Sequence, residues 1–160
     1  MQRDAGMNGA DHPQVVAIPP VIYAGAFGVG LILEGVGRTD VPGATLRFGL
    51  GGLLLVLGLG LMGLALRAFR AAGTHVEVYL PATALVVTGP YRFTRNPIYI
   101  GMTMAYLGVG LLTDSLWVLV LALPVLGVMH YGVVLREEAY LTPKFGDRYR
   151  DYVHRVRRWM

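Results

Sequence analysis

The chain has no cysteine among its 160 residues, which removes disulfide scaffolds, thiolate nucleophiles and Cys-bound metals together. Charge is also scarce. Asp, Glu, Lys and Arg make up 15% of the residues against 54% hydrophobic, a balance far from that of a soluble domain. There is no Walker loop, no Ser-His-Asp pattern and no internal repeat, and the apolar segments lack the polar side chains that would line an ion channel. A cleavable leader is not expected either: Arg3 is followed by Asp4 and Asp11, and no compact apolar stretch ends in small residues. The formal charge of +4 would suit nucleic acid, but the basic residues lie between and after apolar runs. They are therefore read as membrane-topology signals, and no nucleic-acid partner is expected.

What the chain does contain is four apolar runs, at residues 15–33, 48–66, 98–112 and 116–135. A hydrocarbon core of roughly 30 Å takes about 20 helical residues. The first, second and fourth runs meet that length. The third is short, so it is expected to tilt, to sink among its neighbours, or to form part of a hairpin that barely crosses. Only Thr113-Asp114-Ser115 separates the third and fourth runs, which predicts a tight antiparallel hairpin. The expected architecture is a single all-α membrane domain over residues 1–160. It has about four transmembrane helices, the last two a hairpin, followed by a cytoplasmic or interfacial C-terminal helix.

Pro19-Pro20 and Pro124 fall inside two runs and invite kinks. Gly58-Leu59-Gly60-Leu61-Met62-Gly63 has the GxGxxG form of a dinucleotide loop. It lies mid-span rather than between a strand and a helix, so close packing by small residues is the better reading. With four spans, the N-tail (residues 1–14), the loop after the second run and the C-tail share one side. They carry twelve of the fourteen basic residues, leaving Arg38 and Arg47 opposite. By the positive-inside rule both termini are cytoplasmic, in the bacterial inner membrane if the source is prokaryotic.

Two segments on the basic side carry candidate chemistry. In the first, Gly89-Pro90-Tyr91-Arg92 leads to Arg95-Asn96-Pro97-Ile98-Tyr99-Ile100-Gly101 at the start of the third helix. A helix N-terminus beside arginines suits a carboxylate or phosphate, while Tyr and Arg at that depth also serve as interfacial anchors. The second segment opens with Arg136-Glu137-Glu138. Adjacent helical glutamates point about 100° apart. They cannot grip one ion together, but one can receive a ligand while the other pairs with Arg92, Arg95 or Arg136. A solvated acidic cap is the simpler alternative.

Further on, Phe145, Tyr149, Tyr152, Val156 and Trp159 recur at helical steps and predict one helix with an aromatic stripe. That helix would lie in the headgroup region or fold back over the cytoplasmic helix ends. His130 is a lone intramembrane imidazole, expected to hydrogen-bond to a neighbouring helix. It stands two turns from Glu137, roughly 10 Å, too far for a shared metal, and no metal site is expected.

At these segments the chain resembles the membrane methyltransferases related to isoprenylcysteine carboxyl methyltransferase and phospholipid N-methyltransferase. The resemblance covers roughly residues 74–159. It rests on Gly89-Pro90-Tyr91-Arg92, on Arg95-Asn96-Pro97-x-Tyr99-x-Gly101 and on Gly108-Val109-Gly110. It also rests on Arg136-Glu137-Glu138-x-x-Leu141-x-x-x-Phe145-Gly146-x-x-Tyr149-x-x-Tyr152, with a fainter match at Gly73-Thr74-His75-Val76. It implies S-adenosylmethionine as cofactor, bound by residues 74–159, with Gly108, Gly110, Glu137 and Glu138 associated with that binding in the phospholipid branch. Tyr91, Asn96, Pro97, Tyr99, Tyr149 and Tyr152 complete the expected cofactor set. Arg95, Arg136 and Glu137 are the expected catalytic residues, the arginines for placing charge.

The isoprenylcysteine enzymes typically have His where this chain has Asn96, which cannot carry a proton at neutral pH. The expected acceptor is a lipidic small molecule or a prenylated one, among membrane lipids. An NADPH-dependent reductase of the sterol-reductase type and a non-catalytic membrane relative are the competing readings.

Overall fold

The computed structural model describes residues 11–159. Arg3 and most of the expected N-tail therefore lie outside the described residues. Five helices follow in order: α1 (Pro19–Val36), α2 (Ala44–Ala72), α3 (Pro97–Leu112), α4 (Leu116–Phe145) and α5 (Asp147–Arg155). A short 3-10 turn, Gly89–Arg92, precedes α3. Among the described residues there is no strand, and Thr94 and Arg157 form an isolated parallel bridge. The protein is an all-helical integral membrane protein. Helices α1, α2 and α4 are each long and apolar enough to cross a bilayer, whereas α3, with 16 residues, is shorter.

The two proline signals lie in different settings. Pro19 and Pro20 occupy the first turn of α1, where the missing N–H groups have no helical partner to lose. Pro124 lies inside α4, but the departure from α geometry comes after it, in a π-helical stretch at Met129–Val134.

Helix α3 packs most extensively on α2, and α4 on α1. The three-residue connection at 113–115 thus joins two helices that each have another principal partner. Antiparallel packing of α2 and α3 rests on two glycine pairs spaced seven residues apart. A Cβ on Gly58 would lie 2.6 Å from the Gly101 carbonyl oxygen, and one on Gly108 would lie 2.7 Å from that of Gly51. Backbones this close maximise dispersion contact, the main attraction left between helices in lipid. Of the GxGxxG stretch only Gly58 takes part. Gly60 and Gly63 meet open space, so the expected packing motif is Gly51 with Gly58 rather than the 58–63 run.

At the end away from the candidate site, polar groups lock the loops. Glu34 accepts hydrogen bonds from the Thr39 amide at 2.8 Å and the Ser115 hydroxyl at 2.7 Å. Asp114 accepts from the Val41 amide at 2.8 Å and pairs with Arg47. Between the two ends, Val118, Ala122, Val125, Met129 and Val133 of α4 pack with Tyr23, Tyr99 and Tyr106 to form the main core.

The C-terminal region is not the single striped helix that the spacing predicts. Gly146 adopts φ 55° and ψ −130°, a conformation readily open only to glycine, and it separates α4 from α5. Helix α5 stops at Arg155, and Val156 is extended. Residues 156–159 then form a strap across the start of α3.

Candidate functional site

The Gly-Pro dipeptide opens the 3-10 turn, and Pro97 sits in the first turn of α3. Together they send the chain into the membrane with Tyr91, Arg95 and Tyr99 on the inner side. Past the last apolar residue of the fourth run, Leu135, α4 continues for ten residues and brings Glu137 and Glu138 to the same place. The strap closes this end. The Arg95 amide donates to the Arg157 carbonyl at 3.0 Å, and the Thr94 hydroxyl and Asn96 Nδ2 donate to the Arg158 carbonyl at 3.1 and 2.9 Å. The Tyr152 hydroxyl donates to the Tyr91 carbonyl at 2.8 Å, and Trp159 packs into the main core. His130 makes no side-chain hydrogen bond among the described residues. Its ring lies 6.1 Å from that of Trp159 and 4.8 Å from that of Tyr131.

Enclosed by these elements is a cavity of about 130 Å³, lined by Tyr91, Arg95, Asn96, Tyr99, Glu137, Glu138, Tyr149 and Tyr152 together with the 75–86 connection. The two glutamates have different surroundings. Glu138 is held by Arg158, whose Nε and Nη2 donate at 2.8 and 2.7 Å, and it lies 3.0 Å from Arg95 Nη1. Glu137 faces no guanidinium; its carboxylate accepts the Tyr99 hydroxyl. Desolvation of that carboxyl pushes its pKa up to about 7. The Tyr99 hydrogen bond opposes the rise and the neighbouring charge of Glu138 adds to it.

Arg95 has only 10% of its side chain exposed; its Nη1 is ion-paired with Glu138, while its Nε is buried without a hydrogen-bond partner. Buried donors of that kind are costly unless a ligand takes them up. Burial raises the Tyr91 and Tyr152 hydroxyls above their ordinary value and pushes that of Tyr149 to about 12, where the Glu138 charge adds and Arg95 opposes. At neutral pH these tyrosines offer aromatic faces and hydroxyl donors, not bases.

Four of the residues expected from the sequence lie elsewhere. Arg136 turns outward, and its Nη1 donates to the Gln14 carbonyl at 2.6 Å. Pro97 is fully buried at the start of α3 and does not line the cavity. Gly108 packs on Gly51 and Leu55, and Gly110 on Val118 and Leu119. Asn96 lines the cavity, but its amide is committed to the strap. Conversely, Phe69, His75, Glu77 and Tyr140 line the cavity and were not among the expected site residues. Tyr140 follows Glu137 by three residues on α4, a helical spacing that marks it as a neighbour on the same face. It also fixes the connection, accepting from the Ala82 amide at 3.3 Å. The 75–86 connection has no periodicity, and only the faint match at residues 73–76 pointed to it.

The fold and site therefore define a membrane-embedded helical protein with a largely apolar, tyrosine-lined cavity that carries Arg95, Glu137 and Glu138 at one end of its spans. The phospholipid methyltransferase family model matches residues 46–148, and the chain belongs to that family. It is similar to the cobalt-zinc-cadmium resistance protein CzcN of Cupriavidus metallidurans, 28% identical over 105 residues, which are 64% of this chain and 47% of that one. It is also similar to the nickel-cobalt-cadmium resistance protein NccN of Alcaligenes xylosoxydans, 32% identical over 75 residues, 47% of this chain and 35% of that one. An uncharacterized protein of Haemophilus influenzae is 36% identical over 63 residues, 39% of this chain and 79% of that one. The chain thus spans half or less of the length of the two metal-resistance relatives.

Proposed function

We propose that this protein is an S-adenosylmethionine-dependent methyltransferase acting on a lipidic or membrane-dissolved acceptor. The observation that carries the reading is that Arg95, buried with an unsatisfied Nε donor, and Glu137, buried without a cationic partner, line one tyrosine-rich cavity at the membrane boundary. Those groups fit the cofactor's chemistry. Arg95 suits a carboxylate, tyrosine faces and a carboxylate suit a sulfonium or ammonium, and Glu138 or Glu77 can accept from hydroxyls. When bound, S-adenosylmethionine supplies a methyl group attached to a positively charged sulfur.

The chain's own residues supply alignment and proton handling. The strap and the 75–86 connection border the cavity, and the Tyr99 hydroxyl fixes the Glu137 carboxylate. A transfer whose rate depends on alignment gains from that rigidity. Glu137, poised near neutral pH, is placed to take the proton that an amine acceptor must lose. This favours a phospholipid amine over an isoprenylcysteine-type carboxylate, which has no proton to give up. Arg136 is too far round the helix to share that work.

The described part of the N-tail supports placing both termini on the cytoplasmic side. Asp11 pairs with Lys144 at 2.6 Å, so chain entry and exit lie at the cavity end together with the basic residues.

Binding of S-adenosylmethionine and of NADPH to the detergent-solubilised chain tests the reading, with Glu137→Ala as control. Binding of the first alone, weakened by the substitution, is expected. No S-adenosylmethionine binding, or binding that ignores the substitution, would refute it. Incubation with methyl-labelled cofactor and a membrane lipid extract then identifies the acceptor by the fraction that takes up label.

A further inference from the structure

A second concavity lies on the outer side of the 3-10 turn that leads into α3. It runs between α2 and that turn and is lined by Leu61, Leu64 and Arg67 on one side and by Pro90, Arg92 and Phe93 on the other. Tyr91, between Pro90 and Arg92, is buried and points the opposite way, into the candidate site. The turn is thus a wall with a different surface on each side. We propose that the outer groove binds one anionic glycerophospholipid.

The order of residues along α2 matches the order of groups along such a lipid. Leu61 and Leu64 lie on the apolar, membrane-crossing part of the helix, and Leu64 is 55% exposed, so acyl chains are what this part of the surface meets. Arg67 follows about 9 Å above Leu61 along the helix axis, near the depth at which a chain-bearing glycerol gives way to its phosphate. Arg92 faces the same groove from the turn, and Phe93, 79% exposed, flanks it. Among the described residues, the surroundings offer these guanidiniums no acidic group. No Asp or Glu lines the groove, and neither Arg67 nor Arg92 has an acidic partner among the described residues. The contrast with Arg95 and Arg158, both held by Glu138 a short distance away, is direct.

Two guanidiniums without an acidic partner among the described residues, beside a leucine-lined groove, select both phosphate and net charge. A zwitterionic lipid brings an ammonium that partly cancels the attraction, whereas phosphatidylglycerol brings none. Each basic residue at an anionic surface adds a modest attraction, so two together predict a preference of about tenfold.

The test is native mass spectrometry of the full chain released from detergent with equimolar phosphatidylglycerol and phosphatidylcholine of identical acyl chains. The unsubstituted protein should retain one phosphatidylglycerol in about tenfold preference, and the R67Q/R92Q double variant should retain the two lipids almost equally. Arg148→Gln, a charge loss at an exposed position on α5, should leave the preference intact. Should the double variant fail to fold, Arg67→Gln alone is expected to lower the preference, since its side chain only reaches into the groove from an exposed position. Equal retention of the two lipids by the unsubstituted protein overturns the proposal. So does a preference untouched by loss of Arg67, or an adduct displaced by millimolar inorganic phosphate, which would indicate a plain anion site. None of these readouts involves methyl transfer, so they stand apart from the proposed activity.

Discussion

The Tyr99 hydroxyl donates to the Glu137 carboxylate across the contact between α3 and the end of α4. The bond joins the two sequence segments that carry the site. It also stabilises the charged form of a carboxyl that burial would otherwise hold neutral. Removing it should raise that carboxyl's pKa, because the bond acts on the ionised state alone. In Tyr99→Phe, the pH midpoint for S-adenosylmethionine affinity should therefore move upward from near 7 by about one unit. Titrating affinity by calorimetry between pH 5.5 and 9 checks this, and an unmoved midpoint would separate Glu137 from cofactor binding.

The same carboxyl links pH to stability. Its folded-state pKa of about 7 lies above its unfolded value of 4.5, so the folded state holds the proton more tightly. That contribution is fully present below about pH 4.5 and is lost as pH rises toward 7, at up to about 1.4 kcal/mol per pH unit. Thermal unfolding in detergent should show the decline for the unsubstituted protein. Glu137→Gln, a neutral isostere, should flatten it.

Arg95 and Arg136 were both expected to place charge, and the structure distinguishes them. Arg95 lines the cavity, ion-paired with Glu138 and with its Nε unsatisfied, while Arg136 holds the Gln14 carbonyl outside it. Arg95→Ala should weaken S-adenosylmethionine binding more than tenfold, as loss of a charged hydrogen bond does. Arg136→Ala should stay within about twofold. Equal losses would argue that the site extends past the wall formed by α4.

The glycine pairs make a separate prediction. Gly58→Ala or Gly108→Ala drives a methyl group against backbone atoms on the facing helix, and overpacking of this kind costs about 1–3 kcal/mol. Gly60→Ala and Gly63→Ala meet nothing within 4 Å and should be close to neutral. Melting temperatures in detergent distinguish the two classes. Gly108→Ala should lose stability while any folded fraction keeps its affinity for S-adenosylmethionine, since Gly108 touches α2 and not the cavity.

Much of the protein was legible along the chain. Hydropathy is a sum over consecutive residues, so run length alone was enough to mark the long helices 1, 2 and 4 and the short third one. The Gly-Pro and Asn-Pro dipeptides bias backbone angles locally, and they stand where a turn and a helix start occur, whereas the aromatic spacing reads through the break at Gly146 as continuous helix. The offset of two adjacent glutamates around a helix also follows from local geometry, and it anticipated that they would have different partners.

Which glutamate took which partner was decided only in three dimensions. The π-helical stretch at Met129–Val134 changes the rotation of everything after it on α4. A 3.6-residue wheel drawn through run four therefore cannot aim Arg136, Glu137 or Glu138. The strap reaches Thr94 and Asn96 from more than sixty residues away, and the short-range spacing that suggested one continuous aromatic helix carries no trace of that contact. Long apolar runs and scarce charge placed the protein in the membrane. The distant contacts of Arg158, Tyr99 and Asn96 built the cavity, because side-chain direction at a site depends on how helices are rotated and closed against one another.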